Sequence, residues 1–213
     1  LPWLRFLPES ESADVGLSVA PSKPQLLQGA QVVDLSSLWA GPLCAHLLHQ
    51  CGAQVTTISS NSRRDGAQWG SPALYRRLHS GHALLELDFA SAADLQRLGR
   101  YLADADLVIE GSRPRALRGL GVSYDKLDSK PGQVWMAITG YGYGASTGHW
   151  VGFGDDVAAA AGLLGDINSG DGFLGDAVAD PLAGVFSALA MAAFWARGQG
   201  GFLDVSLYDV ASY

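Results

Sequence analysis

The stretch VVDLSSLWAGPLCAHLLHQCGAQV, residues 32–55, decides the fold. Residues 32–35, apolar apart from Asp34, read as a short buried strand. Ala40, Gly41 and Pro42 then make a turn that opens a helix. Proline suits a first helical turn, because the N–H it lacks has no partner there. Residues 42–51 continue as an apolar helix, and residues 54–58 read as a second strand. Strand, helix and strand in this order make one βαβ unit with parallel strands.

The alternation continues downstream. Residues 83–88 predict a strand, 92–103 a helix, 107–110 a strand ended by Gly111, and 134–139 a strand ended by Gly140. Residues 155–164 predict a short helix and 165–179 a loop rich in Gly and Asp. Residues 181–196 are apolar on every side, which predicts a buried helix. Residues 203–207 read as a short strand, and the polar run 59–72 as a loop. The whole pattern is an α/β fold: a Rossmann-like, mostly parallel sheet with helices on both faces. Residues 1–28 carry Pro2, Pro8, Pro21 and Pro24 around a polar cluster, and read as an irregular leader or linker. The α/β portion is then 29–213.

Composition narrows the function. Of 213 residues, 48% are apolar, enough for a real core, and only 16% are charged. A chain so poor in charge is expected to bury surface against a partner or further sequence. It begins with Leu1 and shows no signal-peptide pattern, the mark of a fragment or a processed chain. The net charge of −7 argues against nucleic acid, which needs a basic face. No uninterrupted apolar run is long enough to span a bilayer, so no membrane is expected. Cys44 and Cys51 are seven apart on one helix, about 10 Å of rise, too far for a disulfide. Free thiols point to a reducing, cytoplasmic setting.

Several residues carry chemistry. Arg113, Arg115 and Arg118 follow the strand at 107–110. Ligands of open α/β sheets sit outside strand C-termini, and guanidinium groups bind phosphate well. A solvated helix face is the competing reading. Arg63 and Arg64 are similar in a weaker context. Asp180 stands before Pro181, as an N-cap before a proline at N1. No Lys or Arg occurs between His149 and Ala196, so Asp180 has no cation near it in sequence. A carboxylate at a helix N-terminus stays ionised, as a nucleophile must be. Asp176, four residues earlier, is its rival, and Asp166 and Asp171 are further candidates.

Other signals are weaker. The loop 166–172, DINSGDG, hints at calcium but has Gly170 at the fifth position and Ala177 at the twelfth, where a bidentate Glu is required. The histidines at 46, 49, 79, 82 and 149 have no metal spacing, so no metal is expected. The run GYGYGA at 140–145 follows a strand but leads into loop, whereas a dinucleotide fingerprint opens a helix. No P-loop is present.

The stretch 32–55, DLVIEGSRPRAL at 106–117, ITGYG at 138–142 and DPLAG at 180–184 occur in one order. Together they resemble the class III CoA-transferase family, the CaiB/BaiF-like proteins. The resemblance covers residues 29–210 and about the first half of a family chain. It implies that Asp180 is the catalytic aspartate. It implies CoA contacts at Leu38 and Trp39, just ahead of Ala40 and Gly41, and at the turn holding Gly111, Ser112, Arg113 and Arg115, with Arg118 beyond it. Trp39 offers a flat face to adenine or pantetheine, or is a core aromatic.

The implied substrates are coenzyme A, as an acyl-CoA thioester, and a carboxylic acid. CoA would move between them through aspartyl-acyl and aspartyl-CoA intermediates. The implied assembly is an oligomer with an interlocked or complementary chain. The chain is divergent: Thr57, Ile58 and Ser59 replace the usual Lys-Val-Glu, His82 the Lys of Gly-Lys, and Gly111 and Ser112 the Asn-Phe after Glu110. A racemase of this family needs a His at the position of Asp155, and no His lies between 150 and 213. The alternatives are a non-catalytic or degenerate partner subunit, or an acyl-CoA lyase, dehydratase or isomerase of the same fold.

Overall fold

The computed structural model describes residues 4–8, 26–144, 146–165 and 172–213. In chain order the strands are β1 (Leu4–Pro8), β2 (Gln31–Asp34), β3 (Gln54–Ser60), β4 (Ala83–Leu87), β5 (Leu107–Glu110), β6 (Val134–Thr139) and β7 (Gly201–Ser206). The helices are α1 (Ala40–Gln50), α2 (Ala67–Gly70), α3 (Pro72–Leu78), α4 (Ala92–Asp104), α5 (Pro114–Leu120), α6 (Gly154–Ala160), α7 (Ala179–Ala196) and α8 (Leu207–Ala211).

All strands join one sheet in the order β1-β7-β6-β5-β2-β3-β4. Strands β2 to β7 are parallel, and β1 pairs antiparallel with β7 from Leu4↔Val205 to Pro8↔Gly201. The first half winds outward from β2 through β3 to β4. The chain then crosses back by α4 and places β5 on the other side of β2. The two halves therefore diverge between β2 and β5. Their C-terminal ends leave a crevice there, the place where doubly wound sheets bind ligands.

Strand β5 shows why the sheet holds. All four of its residues are buried, and side chains alternate between the two faces. Leu107 and Ile109 pack with Met136 and Met191 in one core. Val108 packs with Leu98, Leu102 and Trp135 in the other. Only a strand covered on both sides can be buried at every residue.

Four expectations need correction. Part of the supposed leader, Leu4–Pro8, is the edge strand β1. The polar run 59–72 contains α2 and leads into α3. The N-cap of α7 is Val178, so Asp180 is the second helical residue rather than the cap. Helix α7 is also not buried all round. It lays Ala183, Gly184, Ser187 and Met191 against the core, while Val185 and Leu189 are 50% and 62% exposed. By length and composition α7 is apolar enough to cross a membrane. Its packing on α1, α8 and β6 gives that composition another cause, a core helix.

Candidate active site

The site begins with the turn after β2. Asp34 is fully buried, and its carboxylate accepts from the Ser36 backbone N–H, the Ser36 hydroxyl and, at 3.4 Å, the Thr57 hydroxyl. Burial pushes the Asp34 carboxyl up, and these hydrogen bonds oppose the rise. The turn carries the chain through Ser37 and Leu38 into α1. Leu38 has φ +71, a left-handed conformation that costs a branched residue energy. Its N–H donates to both carboxylate oxygens of Asp65, at 3.1 Å each.

The second wall follows β5. Gly111, Ser112 and Arg113 lead into α5, with Pro114 in its first turn. Glu110, at the end of β5, is wholly buried. Its carboxyl accepts from the Trp135 indole N–H at 3.0 Å and the Ser112 hydroxyl at 3.4 Å. Burial pushes it up to about 7.

The third wall brings Asp180. Asp180 and Gly184 lie four residues apart, on one face of α7. A Cβ on Gly184 would stand 2.6 Å from the Ala40 carbonyl oxygen. The absence of that carbon lets α7 settle on the start of α1, which sets Asp180 over the crevice. This is a physical reason for the Asp-x-x-x-Gly spacing. Gly154, the first residue of α6, approaches from the other side, where a Cβ would lie 2.5 Å from Asp180 Oδ2. Burial pushes the Asp180 carboxyl up to about 6. A hydrogen bond from the Gly154 backbone opposes this, and the charges of Asp155, Asp156 and Asp176 add to the rise.

These walls enclose a cavity of about 650 Å³. It lies at the β2/β5 switch point and brings together Leu38, Ala40, Gly41, Gly111, Ser112, Arg113, Arg115 and Asp180. Arg63 joins them, as do Gly140 and Gly142 of the loop after β6. Trp39 and Arg118 do not line the cavity. Trp39 is half-buried at the N-cap of α1. Arg118 lies over the Tyr143 ring at 5.4 Å and pairs with Asp125 at 3.7 Å. Asp176 is exposed and outside the cavity lining. Asp166 and Asp171, with the calcium-like loop, lie outside the described residues. Among the described residues, no group of three or more His, Cys, Asp or Glu side chains is placed to hold a metal ion.

Sequence reading overlooked three features. Asp65 reaches Leu38 across 27 positions, a contact without a local signal. Trp150, Val151 and Phe153 form an apolar rim to the cavity, each more than half exposed. The loop after β6 makes side-chain contacts to its own backbone that its glycine-rich sequence does not announce. Two of its amides are committed: Gly142 N–H to Thr139 Oγ1 and Tyr143 N–H to Asp204 Oδ2, both at 2.9 Å. A separate cavity of about 440 Å³ lies between α4 and the start of β2, away from the switch point.

These features define a class: doubly wound α/β domains with a partly buried carboxylate and arginines in the crevice at the sheet's switch point. The particular family is clear from comparison, for the chain belongs to CoA-transferase family III, whose pattern matches residues 27–213. It is 26% identical over 213 residues to the succinate–glutarate CoA-transferase of Agrobacterium fabrum, covering 90% of this chain and 53% of that one. It is 28% identical over 208 residues to the (R)-2-hydroxy-4-methylpentanoate CoA-transferase of Clostridioides difficile, covering 88% and 52%. The crystal structure of a CaiB/BaiF family protein from Brucella suis superimposes with a TM-score of 0.80 at 27% identity, covering 87% of this chain and 54% of that one. The chain thus spans about half the length of the curated relatives it matches.

Proposed function

We propose that the protein moves CoA between an acyl-CoA thioester and a carboxylic acid, with Asp180 as the nucleophile. One observation carries this reading. Asp180, the Arg113 turn and the glycine loop after β6 converge on a single cavity at the sheet's switch point.

Asp180 attacks the thioester carbonyl carbon and the C–S bond breaks. An aspartyl-acyl anhydride and a CoA thiolate result. The thiolate attacks the aspartyl carbonyl of the anhydride, which releases the donor as a carboxylate and leaves an aspartyl-CoA thioester. The acceptor carboxylate then attacks that thioester and expels the thiolate again. Return of the thiolate to the new acyl carbonyl forms the product acyl-CoA and regenerates Asp180. No net proton is consumed. Covalent catalysis divides one hard exchange into easier steps.

Arg63, Arg113 and Arg115 line the cavity and suit the CoA phosphates. The turn at Leu38, Ala40 and Gly41 suits the pantetheine arm. The proposal includes a cytoplasmic setting, supported by the free thiols of Cys44 and Cys51. It also includes an oligomer, supported by the exposed Val185 and Leu189 of α7.

Hydroxylamine trapping during turnover, read by peptide mass spectrometry, tests the mechanism. A hydroxamate on Asp180 is the expected result. Modification of Asp176 instead would move the nucleophile there. Turnover with no trapped adduct would favour a lyase or isomerase. Failure of the assembled protein to bind CoA would favour a non-catalytic subunit.

A further inference from the structure

Leu38 and Ala177 are the two non-glycine residues with positive φ among the described residues. Leu38 holds this conformation in the wall of the cavity. Its side chain is 41% exposed. A leucine left to itself would relax into an extended conformation and swing that side chain elsewhere. Something must hold it, and the contact is explicit. The Leu38 N–H donates to both oxygens of Asp65 at 3.1 Å. Asp65 is itself fixed, because its Oδ1 also accepts the Ala67 N–H at 2.9 Å. It is 6% exposed, so water competes weakly for its oxygens. A bond to an ionised acceptor in such a place is stronger than one between neutral groups.

The connection joins two parts of the fold. Asp65 sits between β3 and α2, whereas Leu38 sits between β2 and α1. Gly66, next to Asp65, lies against the Leu38 side chain, with a Cβ there reaching 3.7 Å from Cδ2. Asp65 thus fixes the backbone of Leu38 while its neighbour leaves room for the side chain. Asp65 also lines an adjoining polar cavity of about 390 Å³ that shares Ser37 with the larger one.

We propose that Asp65 is a positioning residue: it clamps Leu38 in the left-handed conformation and so presents the Leu38 side chain as an apolar wall for the bound ligand. Asp65 touches no substrate and acts through Leu38 alone. The inference rests on reading the cavity as an acyl-CoA site, although the clamp itself does not.

The test uses the assembled protein and four variants: Asp65→Ala, Asp65→Asn, Leu38→Gly, and Asp65→Ala combined with Leu38→Gly. Calorimetry with acetyl-CoA reads the ligand wall. Hydrogen exchange at the Leu38 amide reads the clamp with no ligand present. Asp65→Ala is expected to speed exchange at that amide at least tenfold and weaken acetyl-CoA binding about tenfold, with cooperative unfolding retained. Added to Leu38→Gly, it is expected to weaken binding less than twofold further, because the side chain it positions is gone. Asp65→Asn, which keeps one carbonyl acceptor, is expected to fall between wild type and Asp65→Ala on both readouts. Unchanged exchange in Asp65→Ala would overturn the clamp. Faster exchange with unchanged binding, or an equal loss of binding in the Leu38→Gly background, would overturn the positioning role. If wild type does not bind acetyl-CoA, the acyl-CoA reading fails, and hydrogen exchange still decides the clamp.

Discussion

Gly184→Ala is the sharpest test of how the site is built. The added Cβ would lie 2.6 Å from the Ala40 carbonyl oxygen, 3.1 Å from Leu43 Cβ and 3.2 Å from Leu43 Cδ2. Ordinary contact begins near 3.4 Å, so α7 must lift by about 0.8 Å over the start of α1. The obstacle at Ala40 is backbone and cannot turn aside. Overpacking of this kind costs ~1–3 kcal/mol. The helix gains ~0.5–1 kcal/mol from replacing glycine by alanine. A net loss of ~0–2.5 kcal/mol remains.

Gly119 supplies the control. It too is helical, in α5, but a Cβ there meets nothing within 4 Å. Gly119→Ala is expected to stabilise by ~0.5–1 kcal/mol. Two identical substitutions should therefore have opposite signs. Urea denaturation followed by circular dichroism measures both. The lift also moves Asp180, one turn away on the same face. A misplacement near 1 Å costs a reacting group ~100-fold in rate. Turnover of the Gly184→Ala protein should fall by roughly that factor while some stability remains. Equal stability changes at the two sites, or full turnover in Gly184→Ala, would refute the claim that the glycine sets the height of α7.

Three further outcomes are expected. Asp180 sits at about 6 and must be ionised to attack, so kcat/KM should be flat above pH 7 and fall about tenfold per pH unit below 6; an unbroken plateau to pH 5 in a pH–rate profile would contradict this. Trp135→Phe removes the indole donor to Glu110 Oε1, and urea unfolding at pH 8 should show a loss of ~1–3 kcal/mol, smaller at pH 5.5, where more of Glu110 is protonated. His82 is pushed down to about 4 from 6.5 by burial and the neighbouring His79, His49 and His46; the unfolded chain then takes up a proton that the folded one refuses, so wild type should lose stability relative to His82→Asn as pH falls from 6.5 towards 4, and a pH-independent difference in urea midpoint would count against it.

The parallel sheet was legible from its alternation of strands and helices, most clearly in β5 and β6, which stop at Gly111 and Gly140. Strands β5 and β6 were read to the residue. Helices α3 and α5 escaped notice for the opposite reason. Each has seven residues, begins with proline and carries two arginines, so it looks like polar loop until something packs against it. Strand β1 was hidden by Pro8 at its end, since an edge strand held on one side by β7 tolerates what a central strand does not. The apolar composition of α7 could not reveal which side faced the core. In the site, the switch-point residues were legible from order along the chain. Whether Trp39 and Arg118 line the cavity was not, because the direction of the side chain decides it. Arg118 has both Tyr143 and Asp125 within reach.

The electrostatics of the cavity give the site a direction. Arg63, Arg113 and Arg115 contribute positive charge to its lining, while Asp180 brings a carboxylate surrounded by further acids. A ligand with phosphates at one end and a neutral thioester at the other has one favourable orientation in such a field. In the proposed reaction the phosphates would go to the arginines and the thioester to Asp180. Burial first, and the neighbouring acids after it, raise the Asp180 carboxyl to about 6; a carboxylate of that basicity is a stronger base, and in the proposed role a stronger nucleophile, than an ordinary aspartate. Yet at pH 7 it is still ionised about ten to one. Greater burial would strengthen the nucleophile further but leave it protonated. The Gly154 hydrogen bond limits that rise. In the proposed role, the close approach of α6 to Asp180 therefore helps keep the carboxylate ionised, while that of α7 to α1 sets its place in the cavity.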